Sequence, residues 1–191
     1  MLKDIITSKV RIKLLTVFLT APDNIIHVRE LVRQTREEIN AVRRELSHME
    51  KAGMVKKEPR ANRLYYHFNK DYPLYFDLLE LIAKTNGLGG KILKDRTKLG
   101  RIKFAMLSGS LIRGKPANPD QVDLLAVGKI VVPELAAIVR EEELKMTREI
   151  NYTVMSEEEF VFRKSRHDPF LSSILAGPRV MIIGDEEELV K

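Results

Sequence analysis

From Ser8 to Thr20 the apolar residues Val10, Ile12, Leu14, Leu15, Val17, Phe18 and Leu19 recur at helical spacing, and Ala21-Pro22-Asp23-Asn24 stops the pattern. Ile25-Ile26 leaves room only for a stub strand, after which Val28, Leu31 and Val32 mark one face of a second helix. Gln34-Thr35 reads as a tight connection. Thr35 followed by Glu38 forms a capping box, in which the hydroxyl accepts a free backbone N–H and the carboxylate reaches back. The spacing therefore predicts a third helix from Arg36 to Gly53, with Ile39, Val42, Leu46 and Met49 on its apolar stripe and Gly53 as a left-handed stop. The period then shortens to about 2 residues. Met54–Glu58 and Leu64–Asn69 read as strands of a hairpin whose tip is Pro59-Arg60-Ala61-Asn62-Arg63.

Residues 74–98 continue as a helical connector with Leu74, Phe76, Leu78, Leu79, Leu81 and Ile82 in its first half. Asn86-Gly87-Leu88-Gly89-Gly90 predicts a loop or hinge within it. From Ile102 the pattern alternates strand and helix. The strands are Phe104–Leu107, Val122–Val127, Ile150–Met155 and Val180–Ile183, with helices from Pro133 to about Glu143 and from Glu157. The glutamate runs 141–143, 157–159 and 186–188 read as solvated faces. The expected fold class is α+β, with domains at 1–72 and 99–191 joined by a connector at 73–98.

Charge sharpens this division. The chain of 191 residues carries a net charge of +6. Residues 1–72 hold 15 Lys/Arg against 9 Asp/Glu, whereas residues 73–191 hold 18 of each, so the whole excess lies in the first third. The asymmetry points to a polyanionic partner for that part, with a solubility feature as the alternative. No apolar run approaches the roughly 20 residues that span a bilayer, and Met1-Leu2-Lys3-Asp4 lacks a secretory segment, so the expected location is cytoplasmic, with no membrane partner. The absence of cysteine excludes disulfides and thiolate chemistry, and His27, His48, His67 and His167 lack ligand spacing. No cofactor is expected on these grounds. His167-Asp168 ahead of Pro169 reads as a cap or turn.

With the apolar stripe turned inward, the third helix presents Glu37, Asn40, Ala41, Arg44, Ser47 and Lys51, flanked by Arg36 and Arg43. An arginine fork matches guanine O6 and N7, an asparagine amide matches adenine N6 and N7, and alanine admits close approach. Arg36, Asn40 and Arg44 in the first turns suit bases, while Lys51 suits a phosphate. Arg60, Asn62 and Arg63 at the hairpin tip, preceded by Lys56 and Lys57, suit phosphates or the minor groove. The bland alternative for each is a solvated surface charge, and for the whole an adaptor that binds protein.

Val28-Arg29-Glu30-Leu31-Val32 and Glu45-Leu46-Ser47-His48-Met49-Glu50-Lys51-Ala52-Gly53-Met54-Val55 resemble the winged helix-turn-helix transcriptional repressors, over residues 8–70. The resemblance implies a regulator that binds double-stranded DNA, as a homodimer on paired half-sites, with the apolar connector Leu74–Ile82 as a dimer surface.

Leu107-Ser108-Gly109-Ser110-Leu111-Ile112-Arg113-Gly114, followed by Val122-Asp123-Leu124-Leu125-Ala126-Val127, resembles the minimal nucleotidyltransferases of the DNA polymerase beta superfamily. Arg148–Met155, Glu158-Glu159-Phe160, Asp168-Pro169-Phe170 and Ile182-Ile183-Gly184-Asp185 look like the tail of winged-helix proteins carrying that domain. The resemblance implies a nucleotide ligand held by Gly109, Ser110, Arg113 and Lys115, and magnesium held by Asp123. The family's first acid falls on Gln121, with Asp120 one residue off, and Asn151 and Thr153 stand where a later acid belongs. The expected reading is a domain that has lost catalysis and serves as sensor or interaction module. The competing reading is an active magnesium-dependent nucleotidyltransferase, antitoxin-like, that modifies a protein or nucleic acid.

Overall fold

In a computed structural model describing residues 2–191, a short helix Leu2–Ile5 (α1) precedes a longer one at Lys9–Thr20 (α2), whose N-terminus is capped by Ser8 accepting from the Arg11 N–H. Leu14, Leu15, Phe18 and Leu19 form its buried face. The stub strand Ile26–His27 (β1) leads into helix Val28–Thr35 (α3), where the His27 ring caps the Arg29 N–H. Helix Ile39–Lys51 (α4) follows and buries Val42, Leu46 and Met49. Strands Val55–Arg60 (β2) and Arg63–Phe68 (β3) complete an antiparallel sheet in the order β1-β3-β2, and α2, α3 and α4 pack on one another beside it.

The start of α4 differs from the expected one. Thr35 is the last residue of α3, buried, and its hydroxyl donates to the Leu31 carbonyl at 2.7 Å instead of capping the next helix. A threonine hydroxyl has this acceptor one turn back in its own helix, and here it wins over the capping box. Arg36 ends α3 in the left-handed region (φ 52, ψ 41), and Glu38 caps α4 through the Asn40 N–H. Arg36 thus sits in the α3–α4 turn, outside the helix it was expected to begin. The hairpin tip also shortens. Arg60 pairs with Arg63 across a two-residue turn, Ala61-Asn62, with Ala61 at φ 48. Pro59 stays in β2 because β2 is an edge strand, where a missing N–H costs nothing toward solvent.

The chain divides into two compact units, Met1–Ile82 and Ala83–Lys191, and the division falls within helix Tyr75–Thr85 (α5). The expected glycine hinge is helix Gly87–Lys94 (α6). Two of its glycines, Gly89 and Gly90, are required by packing. A Cβ on Gly89 would lie 2.2 Å from the Ala83 carbonyl oxygen and 2.8 Å from Ile182 Cδ1, and one on Gly90 would lie 2.7 Å from the Thr85 carbonyl carbon.

Strand Gly100–Ser108 (β4) is followed by a single helical turn Gly109–Ile112 (α7), strand Leu124–Ile130 (β5), helix Val132–Met146 (α8) and strand Tyr152–Met155 (β6). Helices Glu157–Ser165 (α9) and Pro169–Ala176 (α10), strand Arg179–Ile183 (β7) and helix Glu186–Val190 (α11) close the chain. The mixed sheet runs β6-β5-β4-β7, parallel only between β5 and β6. Both faces are covered, which is why β4 and β5 read as unbroken apolar runs. Ala105, Leu107, Leu124 and Ala126 meet Leu88 and Ile92 of α6 and Leu135 and Val139 of α8. The alternate residues Phe104, Met106, Leu125 and Val127 meet Phe160, Leu171, Ile174 and Leu189 of α9, α10 and α11.

The last two helices escaped the sequence pattern because they are short. Asp168 caps α10 at the Leu171 N–H, and Asp185 caps α11 at the Glu188 N–H. The glutamates 186–188 form an acidic first turn that favours the helix dipole, anchored by the fully buried Leu189. No helix among the described residues is long and apolar enough to cross a membrane.

Gly89→Ala distinguishes packing from a hinge. In a hinge, alanine would stabilise the chain by up to about 1 kcal/mol through helix propensity and reduced unfolded-state freedom. The clash with backbone at Ala83 instead predicts a loss of about 1–3 kcal/mol, read as a lower denaturation midpoint.

Candidate functional site

The cations of the Met1–Ile82 unit fall into two groups. Arg11, Lys13, Arg33, Lys56, Arg60 and Lys70 are each ion-paired, with Glu45, Glu37, Glu30, Asp71, Glu58 and Asp23 respectively. The first two are structural ties. Glu45 is nearly buried on α4 and takes Ser8 Oγ at 2.8 Å as well as the Arg11 guanidinium, which fixes the start of α2 to the middle of α4. Lys13 also donates to the Thr35 carbonyl at 2.9 Å, neutralising the end of α3.

Arg29, Arg36, Arg43, Arg44, Lys51, Lys57 and Arg63 have no acidic partner within ion-pair distance among the described residues; Lys3 and Lys9 share that state. Asn40, Arg43, Arg44 and Lys51 are exposed on α4, and Ala41 and Ser47 are half-buried between them. Asn40 and Arg44 stand one turn apart, so their side chains project as neighbours. Arg36 enters from the preceding turn. At the hairpin tip Asn62 and Arg63 are exposed, whereas Arg60 is held by Glu58 at 2.7 Å and lies 5.3 Å from the centre of the Tyr65 ring. That contact with Glu58 pushes the Arg60 pKa still higher and partly spends its charge locally. Sequence reasoning passed over Arg29, exposed at the start of α3, because its helix was read for its apolar face alone.

No protein family, curated protein or solved structure matches this chain. The site rests on its own geometry.

The second candidate site lies at one end of β4 and β5. Asp123 is 1% exposed, and its carboxylate is saturated from inside the protein. Ser108 Oγ donates to Oδ1 at 3.1 Å, while Arg148 donates to Oδ2 at 2.7 Å and the Asn151 N–H at 3.3 Å. Arg148 also holds the Lys115 carbonyl at 2.8 Å and the Glu149 carbonyl at 3.1 Å, tying the loop after α7 to the start of β6. Asn151 Nδ2 donates to the carbonyls of Asn118 and Gln121, and Asp120 is exposed in the loop with its N–H on Asn118 Oδ1.

These residues do not fit a magnesium ion. The lone carboxylate is neutralised by a guanidinium, and the described residues contain no cluster of three His, Asp or Glu side chains suited to a metal. The groups expected to face a phosphate are also largely engaged. The Gly109 N–H donates to the Pro178 carbonyl at 2.7 Å, Ser110 Oγ shares a hydrogen bond with Ser108 Oγ at 2.9 Å, and Arg113 Nε folds back onto the Gly109 carbonyl at 2.8 Å. Only Lys115 projects freely from an exposed position. Arg148 is the residue that sequence reasoning missed. It lies 25 residues from its partner, and no local motif links the two.

A buried carboxylate stripped of its cation is costly, so Arg148→Ala is expected to lower stability by about 3–5 kcal/mol in chemical denaturation. In an Asp123→Asn background the same substitution should cost less than half as much. Equal losses in both backgrounds would show that the pair is not coupled.

Proposed function

We propose that this protein is a DNA-binding regulator that lays α4 in the major groove of a duplex, with the β2–β3 hairpin as the wing of a winged helix-turn-helix. The observation that carries the reading is the unpaired charge on α4. Arg43, Arg44 and Lys51 are exposed with no acid to neutralise them, although the same unit pairs six other cations. A solvated face has no need to keep its cations apart from its acids, whereas a phosphate rail does. Asn40 and Arg44 supply forked polar groups for base edges, Arg43 and Lys51 suit flanking phosphates, and Arg36 in the α3–α4 turn moves from base contact to backbone contact. Ser47 lies in the same stripe, and Asn62 and Arg63 suit the adjacent groove or backbone.

A second copy of the chain fits the same reading. Leu74 and Phe76 at the start of α5 are 52% and 70% exposed, large apolar side chains that a homodimer contact would cover. The Ala83–Lys191 unit then serves as sensor or interaction module, a role supported by the closed, ion-paired state of Asp123.

Binding to mixed-sequence duplex at about 50 mM salt is expected to weaken steeply as salt rises, with a log–log slope of roughly −4.5 to −6.3 for about five to seven phosphate contacts. Arg44→Ala should weaken a selected site by about 1–3 kcal/mol and relax its sequence preference, while Arg63→Ala should weaken all sequences alike. Lys70→Ala, at a cation already paired with Asp23, should leave affinity unchanged. Wild-type protein that binds no better than a neutral protein at low salt would sink the proposal.

A further inference from the structure

The sheet face covered by α9, α10 and α11 is not fully closed. A groove of about 730 Å³ runs between these helices and β4, inside the roughly 300–1,000 Å³ range of small-molecule sites. Phe104, Val127, Phe160 and Leu171 make its floor, and Leu175 lines its side. The Phe104 and Phe160 rings are tilted against each other with centroids 5.7 Å apart.

Two ammonium groups border this aromatic floor. Lys103 Nζ lies 5.2 Å from the Phe104 ring centre and Lys164 Nζ lies 5.5 Å from that of Phe160. Their electrostatic states differ. Lys103 is paired with Glu188 at 2.8 Å, and Glu157 adds to the negative field around it. The third lysine of the groove, Lys191, is paired with Glu187.

Lys164 has no carboxylate within ion-pair distance, although the Glu188 charge, paired with Lys103, still acts on it from farther away. It donates to the Leu189 carbonyl at 2.7 Å and, more weakly, toward the Glu188 carbonyl at 3.5 Å. Burial pulls its pKa below the ordinary lysine value. Carbonyl dipoles satisfy hydrogens but do not neutralise a charge, and an ammonium has three hydrogens to place. A full anion would meet both needs with a charge-assisted hydrogen bond.

We propose that this groove binds a small amphiphilic monocarboxylate, with its apolar body on Phe104, Phe160, Leu171 and Leu175 and its carboxylate on the Lys164 ammonium. The ligand class follows from that pairing of an apolar floor with the one groove lysine that has no ion-pair partner, Glu188 being held by Lys103 and reaching Lys164 only at longer range. A neutral hydrocarbon chain leaves the cation unanswered, and an amine repels it. The site does not depend on DNA binding, and it is distant along the strands from Asp123: Phe104 and Val127 lie inside β4 and β5, whereas Ser108 and Asp123 stand at their other end.

Octanoate, octanol and octylamine, titrated calorimetrically into the full chain without DNA, test the proposal. Octanoate is expected to bind at least tenfold more tightly than octanol, and octylamine more weakly than either. Lys164→Met should bring octanoate down to the octanol level while leaving octanol unchanged, and Lys164→Arg should retain most of the difference. Because Lys164 also holds carbonyls of α11, a second variant acts from the exposed position Ser172. Ser172→Trp fills the groove from its rim and should weaken octanoate at least tenfold. Equal affinity for octanoate and octanol, or octanoate binding untouched by Ser172→Trp, overturns the proposal. Because no DNA is present, either result is independent of whether the protein binds a duplex.

Discussion

Among the described residues, three carboxylates are withdrawn from water: Glu45, Asp123 and Glu142. Each is met by a cation of the same unit. Arg11 answers Glu45, Arg148 answers Asp123, and Lys91 and Lys145 lie 3.8 and 3.7 Å from Glu142. An unpaired buried charge would cost several kcal/mol, so Arg11 and Arg148 are committed by the fold, whereas Lys91 and Lys145 divide their charge between Glu142 and the nearer Glu141. The same demand positions backbone. Arg11 joins α2 to α4, and Arg148 gathers the 115 loop, Asp123 and the entry to β6 around one guanidinium.

The requirement sorts the remaining cations by what they are free to do. In the Met1–Ile82 unit, Glu45 at the back of α4 and Arg11 and Lys13 of α2 are consumed, and the cations on the outer face of α4 are not. In the Ala83–Lys191 unit, Arg148 already neutralises the Asp123 carboxylate that a bound cation would need. The groove beneath α9 shows the converse case, with an ammonium given carbonyls but no ion-pair partner. Net charge alone distinguishes none of these, since +6 says nothing about which lysines and arginines are already answered.

Where the sequence was legible, the signal was one-dimensional. The apolar stripes of α2 and α4, the period-two strands β2 and β3, and the unbroken runs of β4 and β5 all depend on which face of an element is buried, and position along the chain encodes that directly. Misreadings arose where one residue had two local uses. Thr35 could cap the next helix or bond back into its own, and its burial against Leu31 favours the second. Gly87-Leu88-Gly89-Gly90 could be a hinge or a close helix contact, and only the position of Ala83 and Ile182 decides. Asp123 could hold a metal or an arginine, and its partner arrives from 25 residues away.

The exposed stripe of α4 was legible for a different reason. Its residues make few contacts within the unit, so their arrangement is fixed by helical geometry once the buried stripe is known. Arg36 shows the limit of that inference, because it depended on where the helix began. Moving the start from Arg36 to Ile39 places the arginine in a left-handed turn, which for a non-glycine residue costs about 1–2 kcal/mol. Glycine or asparagine would ease that cost, but glycine would lose the side chain and asparagine the charge. Within the chain its backbone closes α3, the N–H donating to the Val32 carbonyl, and Thr147 ends α8 in the same left-handed state, so the conformation belongs to the helix end while the exposed side chain stays without an acidic partner.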